Sequence, residues 1–99
     1  MKLDILAIGA HPDDVELGCS GTLAKEIKNG KTVGILDLTK GELGTRGTDE
    51  TRRIEADNAK NILGVAVREN LGIPDNIILN DKENQLKIVD IIRKYQPDV

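Results

Sequence analysis

Three short apolar runs, each followed by a longer segment with helical spacing, constrain the fold of this chain more than any other feature. The runs are residues 3–9, 31–38 and 66–71. The first two are nearly continuous in apolar side chains, which is typical of strands covered on both faces in a parallel sheet. The third is more polar, as an edge strand is. This alternation predicts parallel strands joined by right-handed helical crossovers.

The helical segments carry start and stop signals. The first helix is predicted to end at Asn29-Gly30, and the second to run from an N-cap at Thr48 to about Leu63. Asp81 is a suitable N-cap for the third helix. The apolar positions of the third helix that we expect to face inward are Leu86, Ile88, Val89, Ile91, Ile92 and Tyr95.

The predicted fold class is α/β, a Rossmann-like three-layer α/β/α arrangement with a parallel sheet in the order 3-2-1. In the doubly wound order a fourth strand lies beside the first, and ligands bind at the carboxyl ends of the strands where the order reverses. Residues 97–99 have the character of the start of that strand. We therefore expect a truncated fourth strand, with residues 1–99 forming the N-terminal part of a single domain.

Composition argues against several functional classes. The chain has 14 Lys and Arg against 17 Asp and Glu and no basic cluster, which disfavours nucleic acid because phosphate binding needs concentrated positive charge. No apolar run approaches the roughly 20 residues that span a bilayer, and the N-terminus lacks the features of a signal peptide. A single Cys cannot form an internal disulfide. We expect a cytoplasmic protein without nucleic-acid or membrane partners; a homo-oligomer is compatible with the sequence.

The segment after the first predicted strand concentrates the chemically reactive residues. Positions 10–18 read AHPDDVELG and contain His11, the only histidine, with three carboxylates. Proline at a helix start and acids in the first turn are ordinary features, which account for Pro12, Asp13 and Asp14. Alternatively, His11 and Asp14 can direct a nitrogen and an oxygen at one Zn²⁺, with Asp13 free to accept a proton from water. The spacing alone leaves both interpretations open.

These residues belong to a longer pattern. AHPDDVELGCSGT, followed by KGELGTRGTDETRRIEA, resembles the N-terminal half of the zinc-dependent LmbE-like (PIG-L) deacetylases, which remove acetyl groups from N-acetylglucosamine conjugates. The resemblance covers essentially the whole chain and is greatest to the bacillithiol-pathway enzymes that act on N-acetylglucosaminyl-malate. It implies an N-deacetylase, an amide hydrolase, with a small-molecule amino-sugar substrate and Zn²⁺ as cofactor. It further implies that His11 and Asp14 are zinc ligands and that Asp13 is the catalytic general base.

The same resemblance implies that part of the active site is absent. Members of the family carry a further His-x-x-His-type block after the fourth strand, which supplies the third zinc ligand and a second functional histidine. This chain has one histidine, His11. We therefore expect the 99 residues to be a fragment that is itself inactive.

Two further features are candidate substrate contacts. Arg52 is one by its family position, because a guanidinium can bind a malate carboxylate through two hydrogen bonds. Pairing with Glu55 on the helix surface explains an arginine at this position equally well. The glycines of the loop 41–48 permit close approach to a sugar, with Glu42 and Arg46 as candidate contacts, whereas a solvated loop is the alternative.

A non-catalytic Rossmann-like nucleotide-binding module is the main alternative from another class. A dinucleotide site requires G-x-G-x-x-G after the first strand. From Gly9 this chain reads GAHPDD, and its two adjacent aspartates would repel a pyrophosphate. The sequence therefore favours the hydrolase.

Overall fold

The computed structural model describes residues 1–41, 49–75 and 78–99, in which strands and helices alternate as predicted. The strands are β1 (Ile5–Gly9), β2 (Val33–Asp37) and β3 (Val67–Asn70). The helices are α1 (Asp14–Lys28), α2 (Asp49–Leu63) and α3 (Lys82–Tyr95). In the described part of the chain, no helix is long and apolar enough to cross a membrane.

The three strands form one parallel sheet with β2 in the centre. β1 pairs with β2 and β2 with β3, which is the predicted 3-2-1 order. Gly9 lies opposite Asp37, and Asp37 lies opposite Asn70. The carboxyl ends of all three strands therefore meet at one edge of the sheet.

Hydrogen bonds from residue 99 continue the pairing on the other side of β1. The backbone N–H of Val99 donates to the carbonyl oxygen of Asp4 at 3.0 Å, and the N–H of Leu6 donates to the carbonyl oxygen of Val99 at 2.9 Å. In a parallel pair, one residue on a strand bonds to two residues on the adjacent strand that are two positions apart, as Val99 does here with Asp4 and Leu6. These bonds agree with the predicted place of a fourth strand beside β1.

Two apolar clusters cover the opposite faces of β2, whose successive side chains point to alternate sides. The cluster on the α1 side consists of Val15, Leu23, Val33, Ile35 and Val65. The cluster on the α3 side consists of Leu3, Leu36, Ile91 and Tyr95. The sheet thus lies between two helical layers, which confirms the three-layer prediction.

Two predictions about burial are wrong in part: that β1 is covered on both faces, and that all six apolar residues named in α3 face inward. β2 is buried at all five positions, whereas Ile8 of β1 is 46% exposed because the α3 cluster does not reach this end of β1. In α3, Leu86 and Ile92 are exposed while Ile91 and Tyr95 are buried. Each residue rotates about 100° around a helix, so Leu86, nine residues before Tyr95, lies on the opposite side.

The helix boundaries agree with the sequence signals where the structure describes them. The Asp81 side chain accepts a hydrogen bond from the backbone N–H of Asn84 at 2.9 Å and so caps α3. α1 ends at Lys28, immediately before Asn29-Gly30, as predicted. The proposed N-cap of α2, Thr48, lies outside the described residues.

Candidate metal centre

The chain turns from β1 into α1 within four residues, and this corner is tightly built. A Cβ on Gly9 would lie 3.0 Å from Cγ2 of Val15 and 3.2 Å from Cβ of Asp14, so glycine permits the close approach of strand and helix. Asp13 has a φ of 85°, which is uncommon for a residue other than glycine. Such a backbone persists only where the surrounding structure holds it, and it is frequent at functional sites.

Helix capping does not account for either aspartate of the corner. Asp13 occupies the N-cap position of α1, but its side chain makes no capping hydrogen bond and is exposed. Oδ2 of Asp14 accepts a hydrogen bond at 2.9 Å from the backbone N–H of His11, which lies before the helix. A cap would instead satisfy the first amides of α1. The structure therefore leaves both carboxylates available for another role.

His11 and Asp14 converge across the turn. Nδ1 of His11 lies 3.4 Å from Oδ2 of Asp14. Two ligands bound to a tetrahedral zinc at about 2.0–2.2 Å are about 3.3–3.5 Å apart, so the two atoms have the separation of donors that share one ion. Both side chains remain partly exposed, at 38% and 49%, and are accessible from solvent.

Asp75 contributes a group that the sequence analysis did not single out. Its carboxylate is hydrogen-bonded to Nε2 of His11, and its side chain is 7% exposed. A carboxylate on one ring nitrogen fixes the tautomer and orientation of a metal-binding histidine and leaves the other nitrogen for the metal. Here that other nitrogen is Nδ1, which faces Asp14. The available signal was the position of Asp75 in the turn that follows β3, at the same sheet edge as His11.

The His11 nitrogen and the Asp14 oxygen are atom types that zinc binds, but two ligands are fewer than a catalytic zinc site needs. Imidazole nitrogen and carboxylate oxygen are both ordinary zinc ligands, and a catalytic site uses three protein ligands. Within residues 1–41, 49–75 and 78–99, no group of three or more His, Cys, Asp or Glu side chains is arranged to hold a metal ion. His11 and Asp14 therefore fit as two ligands of a larger set.

A buried ion network lies beneath the corner. Nε and Nη2 of Arg68 donate to the two carboxylate oxygens of Asp37 at 2.7 and 3.0 Å, and Nη2 also donates to Glu16 at 3.1 Å. Burial raises the pKa of Asp37 above its ordinary value, and the bonds from Arg68 offset this only in part. Burial lowers the pKa of Arg68, but its bonds to the two carboxylates outweigh that effect and raise it. Arg68 and Asp37 were not among the site residues predicted from the sequence.

Arg52 lies at the same edge of the sheet, against Gly41. A Cβ on Gly41 would lie 2.8 Å from Nε and 2.9 Å from Nη2 of Arg52, and the φ of Gly41 is 69°. Thr39 joins this segment to the corner, because its N–H and its hydroxyl both donate to the carbonyl oxygen of Ala10 at 3.0 Å. The role of Arg52 as a substrate contact stays a prediction.

A cavity of about 380 Å³ opens beside Pro12. This volume is within the range of about 300–1,000 Å³ that is usual for small-molecule sites. Its wall includes Asp37 and Arg68 of the ion network, Arg53 of α2 and Asn70 at the end of β3, so it lies beside the network and not between His11 and Asp14. The other candidate contacts, Glu42 and Arg46, lie outside the described residues.

Comparison with known proteins decides the family. The model of the GlcNAc-PI de-N-acetylase (PIG-L) family matches residues 6–99. The chain belongs to the PIG-L family. The family resemblance is thereby confirmed, and this PIG-L chain has its buried ion network at the same sheet edge as His11 and Asp14.

Relatives of this PIG-L chain match nearly all of its length. The uncharacterized deacetylase YaiS of Escherichia coli (strain K12) is 41% identical over 96 residues, which is 94% of this chain and 50% of YaiS. The conserved protein TT1542 of Thermus thermophilus is 47% identical with a TM-score of 0.91, covering 96% of this chain and 43% of TT1542. The N,N'-diacetylchitobiose deacetylase from Pyrococcus horikoshii is 31% identical with a TM-score of 0.88, covering 95% and 38%. The PIG-L chain thus spans half or less of each of these proteins.

Proposed function

We propose that the full-length protein is a zinc-dependent N-deacetylase that hydrolyses the acetamide of an N-acetylglucosamine conjugate. The observation that carries this proposal is the convergence of His11 and Asp14 at the carboxyl end of β1, with Asp75 bonded to the far nitrogen of the imidazole. Family membership supports the amide chemistry, and two of the three compared proteins are named deacetylases.

His11 and Asp14 would hold the zinc ion. Zinc in such a site polarises a carbonyl group and lowers the pKa of water to about 7. Because Asp75 lies on Nε2, the nitrogen of His11 that would face the metal is Nδ1, and Asp14 would offer a carboxylate oxygen. The described residues of this chain do not complete the set, so a further ligand must come from elsewhere in the protein.

Asp13 is the general base of the proposed reaction. Its carboxylate is exposed and makes no cap bond, so it is available to take a proton from the attacking water. A C–O bond forms between this water and the acetyl carbon, and the amide C–N bond breaks. The products are acetate, which keeps the oxygen of the water, and the protonated amine, which gains both of its hydrogens, including the one that Asp13 takes.

The finer proposal is that the substrate is N-acetylglucosaminyl-malate, a precursor of bacillithiol. Malate carries carboxylates, and the guanidinium of Arg52 can bind one of them through two parallel hydrogen bonds. Arg52 packs against Gly41, four residues after the carboxyl end of β2, which is the sheet edge where His11 and Asp14 also lie.

Acetate release by the full-length protein tests the proposal. We expect zinc-dependent release from N-acetylglucosaminyl-malate, loss of release with a chelator and recovery when zinc is added. N,N'-diacetylchitobiose serves as the comparison substrate. Release from chitobiose alone would retain the deacetylase and remove the malate assignment, whereas no release from either substrate would contradict both.

Arg52→Lys tests the malate contact separately. Lysine keeps the charge and loses the two-pronged geometry, so we expect KM for the malate conjugate to rise about tenfold, which corresponds to about 1.4 kcal/mol. KM for a neutral N-acetylglucosamine conjugate is the control and should not change. An unchanged KM for the malate conjugate would remove Arg52 from the binding site.

The nucleotide-binding alternative makes a different prediction. It requires measurable affinity for NAD⁺ or ATP without zinc-dependent hydrolysis. The exposed carboxylates of Asp13 and Asp14 at the end of β1 oppose binding of a pyrophosphate. We expect calorimetry to detect no binding of either nucleotide.

A further inference from the structure

Glu16 is the one acid of the AHPDDVELG motif that the proposed zinc chemistry does not use. Its carboxylate accepts a hydrogen bond from Nη2 of Arg68 at 3.1 Å, and Arg68 also binds both carboxylate oxygens of Asp37. The three side chains come from three elements: the first turn of α1, β3 and the last position of β2. They form a continuous bridge from the helix to the sheet, which we call the Glu16–Arg68–Asp37 bridge.

The bridge is buried and geometrically defined. Arg68 is 4% exposed and Asp37 2%, while Glu16 is 17% exposed. Nη1 of Arg68 makes an additional bond to the carbonyl oxygen of Ala56 in α2 at 3.4 Å. Replacing a buried ion network by apolar residues is often neutral or stabilising, so stability alone is a weak explanation for these charges. A better explanation is that the network fixes the position of helix α1 relative to the sheet.

The first turn of α1 is the part that needs to be fixed. Asp13 has a left-handed backbone and no side-chain cap. Its carbonyl oxygen accepts the N–H of Leu17 at 2.8 Å, so the position of the turn determines the position of Asp13. Glu16 lies in this turn, three residues after Asp13 and two after Asp14. A bond from Glu16 to the sheet therefore holds both aspartates relative to His11, which extends from β1.

We propose that the Glu16–Arg68–Asp37 bridge positions Asp13 and Asp14 for hydrolysis, with Glu16 and Arg68 as positioning residues that act through the first turn of α1. This inference rests on the proposed function. Without the bond from Glu16, the first turn shifts against the sheet. Asp14 then moves relative to His11 and binds zinc less tightly, and Asp13 loses its alignment with the attacked acetamide.

Glu16→Ala in the full-length protein tests the bridge. We expect zinc affinity, measured by competition with a chelating dye, to fall about tenfold, and kcat for acetate release to fall about 10- to 100-fold with KM nearly unchanged. Glu16→Gln keeps an oxygen acceptor for Arg68 and should recover most of both quantities. Glu26→Ala, on the same helix and outside the bridge, is the matched control and should behave as wild type.

Hydrogen exchange gives a readout that depends on neither zinc nor turnover. Exchange at the amides of residues 14–17 should be faster in Glu16→Ala and normal in Glu26→Ala, because only the first turn loses its anchor. If wild type binds no zinc and releases no acetate, the proposed function fails, and this measurement still decides the bridge.

Several results would overturn the proposal. One is a folded Glu16→Ala protein with wild-type hydrogen exchange, zinc affinity and kcat. Another is a loss of zinc affinity and kcat in Glu16→Gln and Glu26→Ala that is as large as the loss in Glu16→Ala. If Glu16→Ala does not fold, Arg68→Lys replaces it, because lysine keeps the charge and cannot bind both carboxylates with the same geometry. Wild-type zinc affinity and kcat in Arg68→Lys would then overturn the bridge.

Discussion

The middle of β2 and its carboxyl end are equally buried and are stabilised in different ways. Ile35 and Leu36 are fully buried in the two apolar clusters, whereas the next residue, Asp37, is 2% exposed and carries a carboxylate. Aliphatic packing tolerates other residues of similar volume. A buried carboxylate requires its particular donors, here the guanidinium of Arg68. The interior thus determines the fold, and in our proposal the charged edge determines where Asp13 and Asp14 lie.

The largest expected effect is on kcat, and it comes from a substitution at the charged edge that leaves the apolar interior unchanged. Asp13→Asn removes the proposed general base, and asparagine tolerates a left-handed backbone, so the corner keeps its shape. We expect kcat to fall about 10²- to 10⁴-fold while zinc content stays that of wild type. Steady-state kinetics together with metal analysis check this. Turnover close to wild type would refute the role of Asp13.

A substitution in the interior should lower stability and leave the proposed metal site unchanged. Ile35→Ala leaves a cavity in the cluster on the α1 side and should lower the free energy of unfolding by about 2–5 kcal/mol. Zinc affinity of the folded protein should not change, because the edge keeps its contacts. Urea unfolding and dye competition measure the two quantities. A loss of zinc affinity in folded Ile35→Ala would show that interior and edge are not separable.

A substitution of Asp75 tests whether this residue orients His11 without itself being a zinc ligand. Asp75→Ala removes the partner of Nε2 of His11 and should weaken zinc binding about 10- to 100-fold without abolishing it. Asp81→Ala, which removes the cap of α3, is the control and should leave zinc affinity unchanged. Identical zinc affinities in wild type and Asp75→Ala would mean that the imidazole does not depend on this carboxylate.

The smallest expected effect concerns the α3 side of the sheet and depends on pH. The hydroxyl of Tyr95 donates to Glu69, and this bond together with burial raises the pKa of Tyr95 above its ordinary value of 10.0. Because the pKa is raised in the folded state, the stabilisation is complete below pH 10 and is lost as pH rises through the folded pKa. Tyr95→Phe should cost about 1–2 kcal/mol near neutral pH.

Urea unfolding on both sides of pH 10 checks the Tyr95 prediction. The stability of wild type should fall more steeply with pH than that of Tyr95→Phe, because phenylalanine has no proton to lose. Zinc affinity at neutral pH should be the same in both proteins. Parallel pH profiles would contradict the assigned contribution of Tyr95.

The contrast between interior and edge also explains what the sequence could predict. The apolar run of β2 and the Asp81 cap are local signals, so the strands, their order and the helix limits followed from short stretches of sequence. Asp75 reaches His11 across 64 positions, and Arg68 reaches Glu16 across 52. Such contacts exist only after the strands have aligned, and no local spacing encodes them. The corner itself was predictable because strand, turn and helix lie within one short motif, whereas the roles of His11, Asp13 and Asp14 stay predictions.

Zinc stoichiometry of the full-length protein and three corner variants tests the central claim most directly. We expect about one zinc per chain in wild type and Asp13→Asn, and strongly reduced zinc in His11→Ala and Asp14→Ala, since the last two remove proposed ligands. Wild-type zinc content in folded His11→Ala and Asp14→Ala, or no zinc in the wild-type protein after incubation with the metal, would contradict the assignment of the corner as a metal site.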